Sequence, residues 1–496
     1  MAKSIMVQGT MSNAGKSLLT AGLCRIFKQD GYRVAPFKSQ NMALNSFITR
    51  DGLEMGRAQV VQAEACGKEP SVLMNPILLK PVTDMGSQVI VMGEVRGNMR
   101  ADAYFAMKHT LIPDILQAYH TLATENDIIV IEGAGSPAEI NLMDGDIVNM
   151  GMAKMAKAPV LLVGDIDRGG VFAQLCGTLL LLPEDERNMV KAIIINKFRG
   201  NEAILQPGLD MLMKRTHVPV AGVLPYLCVD IEDEDSLSDR LQQRADAQIN
   251  IAVIRLPRLS NFTDFAALEA TPGVGVRYVS AAKELGKPDL IVLPGTKNTI
   301  SDLLWLRQCG LEASILKLVS AGTLVFGVCG GYQMLGRRIT DVAGVEGGGS
   351  VRGMALLPMV TKFADTKHRT RVTGRMLAIN GAFSGLSGAV VEGYEIHMGQ
   401  TTLDDEAKPL LHLTNGSNDG CQNDCVAGSY LHGIFDSTEC RTALIQILCA
   451  RKGIPVPAEQ AFDYAAYKED QYDKLAVGVR KHLNMELIYQ ILKEGI

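Results

Sequence analysis

One cysteine of this 496-residue chain lies among glycines, in the stretch VFGVCGGYQM at residues 325–334. The apolar residues before Cys329 predict a strand, and the residues after it predict the start of a helix. A sharp turn from strand to helix exposes the side chain at its apex, and it needs small neighbours because it has no room for larger ones. The pattern therefore predicts a cysteine nucleophile at Cys329, with the backbone N–H of Gly330 directed at a developing oxyanion.

A cysteine nucleophile needs a base, and one histidine is placed to supply it. His432 ends the apolar part of the stretch SYLHGIFD. The stretch LPGTKNT at 293–299 offers Gly295, whose backbone N–H is the predicted second donor to the oxyanion. A buried structural cysteine and a packed core histidine are the alternatives, and the presence of both residues together favours catalysis.

A second glycine-rich turn, VQGTMSNAGKS at 7–17, also follows a predicted strand and precedes a predicted helix. Gly9 and Gly15 let backbone N–H groups face an anion, and the helix N-terminus adds partial positive charge. Lys16 can reach the β- and γ-phosphates of a nucleotide, and the hydroxyl of Ser17 can bind Mg²⁺. Five residues separate the two glycines, one more than in the common P-loop pattern. The alternative is an ordinary tight glycine turn before a helix.

Further polar residues follow predicted strands, at the carboxyl ends where open α/β sheets bind their ligands. Glu132 in VIEGAGS could complete a metal site, and Asp51 in TRDGLEMGRAQ is a second candidate. Asp146, Asp165 and Arg168 are candidate substrate-binding residues, because a guanidinium and backbone N–H groups suit a carboxylated substrate. For each carboxylate alone, the alternative is a solvated loop residue or a helix cap.

The elements that must position these residues alternate between strands and helices. Two series of strands are predicted, at 4–9, 128–133, 160–165, 192–197 and 220–225, and at 249–256, 276–280, 289–295 and 323–330. Segments of helical period, such as 15–29 and 55–66, lie between strands of the first series. This alternation predicts two doubly wound α/β domains, each with a mostly parallel sheet covered on both faces.

The length of the chain also predicts more than one domain, at roughly 100–200 residues per domain. Residues 228–248 are acidic and carry no strand pattern, which is typical of a connector. We therefore predict a nucleotide-binding domain at 1–230, a linker at 231–248, and a second domain at 249–496 that ends in a helical tail.

Composition excludes several other classes of protein. The net charge of −5 argues against a general nucleic-acid binder. The sequence has no run of 18 apolar residues, so we predict no membrane span. The ten cysteines are scattered, and MAKSIMVQG leads directly into a strand without a signal peptide. These features predict free thiols and a cytoplasmic location. The oligomeric state is left open.

Two family resemblances add specific expectations. The spacing of the glycine-rich turn resembles the dethiobiotin-synthetase branch of P-loop enzymes, which activates a carboxylate with the γ-phosphate of ATP. That resemblance implies ATP and Mg²⁺ as cofactors, with Glu132 as a metal ligand and Asn196 in INKF near the adenine. The cysteine turn resembles the class I glutamine amidotransferases, in which the thiol attacks the amide carbon of glutamine and ammonia is released. It implies a flavodoxin-like second domain.

Most class I amidotransferases carry a glutamate two residues after the histidine, where this chain has Ile434. That departure, and the segment GYEIHMGQT at 393–401, resemble the cobalamin-pathway branch of the class. What orients His432 is left open. The same resemblance implies that His397 belongs to a structural or substrate-facing ribbon and is not the base.

Eight segments in order make nearly the whole chain similar to the cobyric acid synthase family: GTMSNAGKS, DGLEMGRAQ, EGAGSPAEINL, GDIDRGG, LPGTKNTISDL, GVCGGYQMLG, GYEIHMG and LHGIFD. The resemblance implies amidation of the b, d, e and g side-chain carboxylates of adenosylcobyrinic acid a,c-diamide, through acyl phosphates. Glutamine and a corrinoid polycarboxylate are the implied substrates.

Three alternatives differ in what they explain. Cobyrinic acid a,c-diamide synthase shares both domains and the same chemistry on other carboxylates. A non-amidating P-loop ATPase switch explains residues 1–230 and leaves Cys329 and His432 unused. A CTP-synthase-like amidotransferase normally has an acidic residue at the position of Ile434.

Overall fold

The computed structural model describes residues 2–83, 86–231, 247–342, 344–346, 348–456 and 462–496. The chain forms two compact α/β units. The first comprises Met1–Ala43, Glu54–Glu234 and Lys468–Ile496, and the second comprises Leu44–Leu53 and Asp235–Tyr467. The predicted α/β class with parallel sheets is confirmed. Most of the predicted linker, residues 232–246, lies outside the described residues.

The first unit is built on a six-stranded parallel sheet. Its strands, in spatial order, are Val220–Pro225, Val190–Phe198, Val160–Asp165, Lys3–Gly9, Ile128–Glu132 and Val34–Phe37. All five strands predicted in the first series are present, and Val34–Phe37 is an addition. The strands are buried almost throughout, as expected for a sheet covered on both faces.

A smaller four-stranded sheet, which the sequence did not predict, also belongs to the first unit. Its strands are Gln40–Met42, Ile77–Thr83, Gly86–Val91 and Glu94–Arg100, and a short strand, Glu54–Gly56, lies apart from it. The helices of this unit that precede the second unit are Lys16–Gln29, Arg57–Cys66, Val72–Met74, Ala101–Met107, Lys108–Leu111, Ile112–Glu125, Met150–Ala156, Val171–Leu181, Glu184–Arg187 and Glu202–Thr216.

The C-terminal helices differ from the predicted boundary, since residues from Lys468 onward pack in the first unit. They comprise most of Tyr464–His482 and all of Met485–Glu494. Leu475 and Val479 are buried in the same apolar cluster as the central strand of the first unit, and the Tyr472 hydroxyl donates to Glu64 Oε2 at 2.7 Å. An apolar helix face can be read from sequence, but the distant surface that buries it cannot.

The second unit contains another six-stranded sheet. Its order is Val274–Val279, Ile249–Ile254, Leu290–Leu293, Leu324–Val328, Val426–Ser429 and Cys421–Asn423, and only the last strand is antiparallel to its neighbour. The four strands predicted in the second series are all present. The helices are Phe262–Phe265, Ala266–Ala270, Ala282–Leu285, Thr299–Gln308, Leu311–Ser320, Gly330–Leu335, Gly381–Leu386, Thr438–Lys452 and the start of Tyr464–His482.

Long β-ribbons occupy the region around residues 351–400. Met359–Met376 and Val390–Leu403 pair antiparallel over most of their length. Four shorter strands complete this second sheet, and one more lies apart from it: Arg338–Asp341, Gly349–Arg352, Leu411–Leu413 and Asn418–Asp419, and Ser46–Ile48. Among the described residues, no helix is both long enough and apolar enough to cross a membrane.

Parallel strands bring the candidate residues of each unit to one edge of its sheet. In the first unit, the strands that precede the glycine-rich turn and Glu132 are direct neighbours. In the second, the strands that precede Gly295, Cys329 and His432 lie side by side. Because the carboxyl ends of parallel strands meet at the same edge, residues far apart in sequence converge there.

Candidate active site

Cys329 sits on a strained turn between the strand Leu324–Val328 and the helix Gly330–Leu335. Its φ of 49° and ψ of −108° are rarely adopted by residues other than glycine. The glycines around it leave no room for larger residues: a Cβ on Gly330 would lie 2.8 Å from Thr296 Cγ2, and one on Gly331 would lie 2.0 Å from Leu293 O. The predicted strand–turn–helix arrangement around the thiol is therefore present.

His432 is buried beside Cys329, and its two ring nitrogens have different surroundings. Nδ1 lies 2.7 Å from Asp264 Oδ2. Because an ionised carboxylate can only accept, Nδ1 carries the proton and donates it to Asp264. Nε2 is buried and makes no hydrogen bond to any group in the described part of the chain. Nε2 is therefore the ring nitrogen that can exchange a proton with a neighbouring group.

The charges around His432 favour its protonated form. Burial alone would lower the pKa of this imidazole, but the charges of Asp264 and Cys329 outweigh that effect and raise the pKa to about 10. An imidazolium beside a thiolate is the pair that makes a cysteine nucleophilic at neutral pH. The arrangement thus has the charge balance that thiol chemistry requires.

Asp264 is the residue that sequence reasoning missed. It lies in the short helix Phe262–Phe265, and its Oδ1 also accepts the N–H of Gly433 at 3.0 Å. Ile434, where a glutamate was sought, is a fully buried core residue. The only signal in the sequence is that Asp264 follows the strand Ile249–Ile254, whose carboxyl end lies at the same edge as the other candidate residues.

Gly295, the predicted second oxyanion donor, lies against the imidazole of His432. A Cβ added to Gly295 would come within 3.1 Å of His432 Cε1. The Cys329 Sγ is 3.6 Å from the carbonyl oxygen of Ile396, on the strand Val390–Leu403. The structure therefore brings Gly295, Gly330, Cys329 and His432 together, and their catalytic roles stay a prediction.

His397, one residue beyond Ile396, has a different environment from His432. Its Nδ1 is 2.7 Å from the carbonyl oxygen of Gly399, and its ring stacks on Tyr430 with a centroid separation of 3.7 Å. Burial is the main cause that lowers the pKa of His397 to about 4. The imidazole is therefore neutral at physiological pH.

The backbone carbonyl oxygens in and near the glycine-rich turn of the first unit accept hydrogen bonds from Asn196 and Lys16. Gly15 has a φ of 95°, and a Cβ there would lie 2.0 Å from Asn196 Nδ2. Asn196 donates to the carbonyl oxygen of Ala14 at 2.8 Å. The Lys16 ammonium donates to the carbonyl oxygens of Met11 and Gly135, at 3.0 and 3.1 Å. Asn196 thus lies at the turn, and its predicted contact with adenine remains a prediction.

Glu132 is the centre of a buried polar cluster next to this turn. Its Oε1 accepts from Ser17 Oγ at 2.8 Å and from Lys38 Nζ at 2.9 Å, and its Oε2 accepts from Gln62 Nε2 at 2.5 Å. Ser17 and Glu132 are thus adjacent, and their metal-binding role stays a prediction. Lys38 and Gln62 were not singled out. Carboxylate and hydroxyl oxygens are ligands that suit Mg²⁺.

Asp51, the other proposed metal ligand, is placed differently. It is exposed, on a turn within Leu44–Leu53, and this segment belongs to the second unit. Ser17 and Glu132 belong to the first unit. A metal-binding role for Asp51 stays a prediction.

The three candidate substrate-binding residues differ in exposure. Asp165 is fully buried and bonds the Lys197 ammonium at 2.9 Å, and this ammonium also donates to Asn13 O in the glycine-rich turn. Asp146 accepts backbone N–H groups around the start of the helix Met150–Ala156, which is the capping arrangement considered as its alternative. Arg168 is exposed. Contact of these residues with substrate stays a prediction.

Comparison with known proteins matches each half of the chain to a domain family. Residues 5–236 match the family described as "CobQ/CobB/MinD/ParA nucleotide binding domain". Residues 250–440 match the "CobB/CobQ-like glutamine amidotransferase domain". The first match ends at residue 236 and the second begins at residue 250.

Full-length relatives are also similar. The chain is 60% identical over 513 residues to a cobyric acid synthase of Lachnoclostridium phytofermentans, with 100% of both chains covered. It is 58% identical to one of Ruminiclostridium cellulolyticum, with 100% of this chain and 98% of the relative covered. It is 53% identical to one of Citrobacter koseri, with 100% and 99% covered.

Proposed function

Because the chain belongs to the cobyric acid synthase family of ATP-dependent, glutamine-hydrolysing ligases, we propose that it amidates the b, d, e and g side-chain carboxylates of adenosylcobyrinic acid a,c-diamide. ATP and glutamine are the co-substrates. The observation that carries the proposal is the buried row of Cys329, His432 and Asp264, since a phosphate-binding switch has no use for it.

In the glutamine half, the Cys329 thiol transfers its proton to Nε2 of His432, and the sulfur attacks the amide carbon of glutamine. The backbone N–H groups of Gly330 and Gly295 stabilise the oxyanion of the tetrahedral intermediate. His432 returns the proton to the leaving nitrogen, ammonia departs, and a glutamyl thioester remains on Cys329. Water then hydrolyses the thioester to glutamate. Asp264 keeps the imidazole in the tautomer that accepts this proton.

In the ATP half, a corrinoid carboxylate attacks the γ-phosphorus and ADP leaves. The product is an acyl phosphate. Ammonia then attacks its acyl carbon, and phosphate departs as a good leaving group to give the amide. Lys16 balances charge on the transferred phosphoryl group once its bonds to Met11 and Gly135 are exchanged for the nucleotide. Ser17 and Glu132 would hold Mg²⁺, which neutralises phosphate charge when bound. Lys38 and Gln62 orient the Glu132 carboxylate.

Product analysis tests the substrate. The protein is incubated with ATP, glutamine and either adenosylcobyrinic acid a,c-diamide or cobyrinic acid, and the corrinoids are analysed by mass spectrometry. We expect amidation of the a,c-diamide at all the remaining b, d, e and g positions. Conversion of cobyrinic acid to its a,c-diamide, with no reaction of the a,c-diamide, would instead identify the alternative synthase. ATP hydrolysis without any amidated product would favour the switch.

A further inference from the structure

The ribbon formed by Met359–Met376 and Val390–Leu403 carries three polar side chains that the proposed glutamine chemistry does not use. Its register places His368 directly opposite His397. Successive side chains of a strand point to opposite faces, so Glu395 and His397, which are two residues apart, share one face. His368 joins them from the paired strand. Two imidazoles and a carboxylate therefore meet on one face of the ribbon.

The three side chains are close enough together to bind one ion. Each offers one ligand atom, and these atoms lie within 4.8 Å of one another. His368 Nε2 is 3.2 Å from Glu395 Oε2. The ligands of a zinc ion lie about 2.0–2.2 Å from it, and therefore about 3–4 Å from one another. Small rotations of the side chains are enough to bring all three atoms to that spacing.

The hydrogen bonding of His397 leaves one of its ring nitrogens for such an ion. Its Nδ1 is 2.7 Å from the carbonyl oxygen of Gly399, which can only accept, so Nδ1 carries the proton and Nε2 carries the lone pair. Nε2 is buried and makes no hydrogen bond within the described part of the chain. Metal-binding histidines usually donate their other N–H to a carbonyl or a carboxylate. His397 is therefore arranged as a metal ligand.

The other two side chains supply the charge of the site and its access to solvent. The side chain of Glu395 is 7% exposed, whereas that of His368 is 51% exposed. An ion can therefore enter beside His368, and water can fill the remaining coordination positions. An ion pair between His368 and Glu395 explains these two residues alone, but it leaves His397 Nε2 without a partner. Two imidazoles with one carboxylate are a ligand set that binds Zn²⁺.

We propose that His368, Glu395 and His397 bind one Zn²⁺ ion, through the Nε2 atoms of both imidazoles and the carboxylate. This site goes beyond the proposed function, which assigns a metal ion only to the first unit. The ion joins the two strands of the ribbon where their register shifts. Phe363 pairs with Gly399, and the next pair is His368 with His397, so one strand has four residues where the other has one. Zn²⁺ closes the ribbon at the point where regular pairing resumes.

The same strand contacts the thiol site. Ile396, between the two ligands of this strand, has its carbonyl oxygen 3.6 Å from Cys329 Sγ. The Tyr394 ring is stacked on the imidazole of His432, with centroids 5.2 Å apart. A bound ion therefore restricts the strand that carries both contacts. Its role is structural, because none of its ligands takes part in the glutamine chemistry.

Titration with Co²⁺, a spectroscopic probe of zinc sites, tests the proposal. The full chain is kept reduced, freed of metal with a chelator and titrated without nucleotide. Imidazole and carboxylate ligands give Co²⁺ visible absorption bands, whereas thiolate ligands add charge-transfer bands in the near ultraviolet. This difference matters because the chain has ten cysteines. We expect one Co²⁺ per chain with the visible bands alone, displaced by one equivalent of Zn²⁺.

His368→Gln and Glu395→Gln each remove one ligand. The affinity for Zn²⁺, measured by competition with Co²⁺, should fall by at least about 100-fold in both, because loss of an outer-shell partner alone usually costs 10- to 100-fold. At a free Zn²⁺ concentration about 100 times the Kd, the Tm of the unmodified protein should rise by several degrees. Neither variant should show this rise at the same concentration. An unchanged Tm in the absence of metal shows that the variants fold.

His412→Gln is the matched control. His412 lies in Leu411–Leu413 of the same sheet, and its Nδ1 is 2.9 Å from Asn418 Oδ1. This variant should keep the full affinity for Zn²⁺. Absence of the visible bands, which a simple ion pair predicts, would overturn the proposal. Thiolate bands, unchanged affinity in His368→Gln and Glu395→Gln, or an equal loss in His412→Gln would overturn it as well.

Discussion

Replacing Asp264 by asparagine tests the residue that orients the proposed base. Asparagine keeps the size of the side chain and an oxygen that can accept the N–H of Gly433. Its amide nitrogen, placed toward His432 Nδ1, donates where the carboxylate accepts. The imidazole must then carry its proton on Nε2, where it cannot accept one from Cys329. The negative charge beside the ring is lost as well.

The size of the effect follows from the pKa of His432. This pKa rises from an ordinary 6.5 to about 10, which corresponds to roughly 5 kcal/mol in favour of the imidazolium. Asp264 and Cys329 share that stabilisation. A loss of only about 3 kcal/mol of this stabilisation lowers a rate by about 10²-fold, so kcat/KM for glutamine should fall by at least about 10²-fold in Asp264→Asn.

The assay measures glutamate release together with amidation from two nitrogen sources. Glutamine-dependent amidation should fall with glutamate release, whereas ammonium-dependent amidation should stay normal because it bypasses His432. Asp289→Asn is the control: its carboxylate also accepts a backbone N–H, from Asn250, and pairs with Lys452. We expect it to change kcat/KM by less than about twofold. A rate for Asp264→Asn within about threefold of the unmodified protein would refute the assignment of Asp264.

The remaining predictions concern the thiol, the phosphate site, the C-terminal helix and His397. Cys329→Ser should lose glutamine-dependent amidation but retain amidation with ammonium salts at raised pH; a folded variant that is inactive with both sources would contradict separate nitrogen and ATP sites. Lys16→Ala should abolish amidation from either nitrogen source while glutamine still labels Cys329 as a thioester, detected by mass spectrometry of the trapped protein. Leu475→Ala should lower the free energy of unfolding of the first unit by about 2–5 kcal/mol, because it leaves a cavity in that core; denaturation that affects only the second unit would disprove this packing. The pKa of His397 is about 4 in the folded protein and 6.5 in the unfolded chain, so the unfolded state binds more protons between these values. The contribution of His397 to stability should therefore fall by about 2 kcal/mol from pH 7 to pH 5. His397→Gln should remove that loss in urea denaturation at the two pH values, and an unchanged pH dependence would contradict it.

Local patterns in the sequence predicted most strands of the two mainly parallel sheets and the turns that follow them. A continuous apolar run that ends in a glycine turn depends only on neighbouring residues, so Cys329 and the 7–17 turn could be predicted without a structure. The small sheet containing Gln40–Met42 escaped, because its three longer strands follow one another without helices between them. The packing of the C-terminal helix on the first unit escaped for another reason, since its partners are hundreds of residues away in the chain.

The acidic partner of His432 could not be predicted for the same reason, because Asp264 is distant from it in the sequence. A search at a fixed distance after the histidine finds Ile434, which is part of the core. To orient the imidazole, a carboxylate oxygen needs only to lie close to Nδ1. Any chain segment that follows a strand ending at the same edge of the sheet can supply this oxygen. The strand Ile249–Ile254 does so through Asp264.

The same reasoning explains why the 44–53 segment could not be assigned from sequence. In the sequence it lies between Lys38 and Gln62, which both donate to Glu132. Its position in the sequence alone would therefore assign it to the phosphate site. Its burial and its hydrogen bonds place it with His432 instead, through Asn261 and Tyr394. A chain that leaves one unit for ten residues and then returns must give up conformational freedom at both ends. The burial of its residues in the second unit offsets that cost.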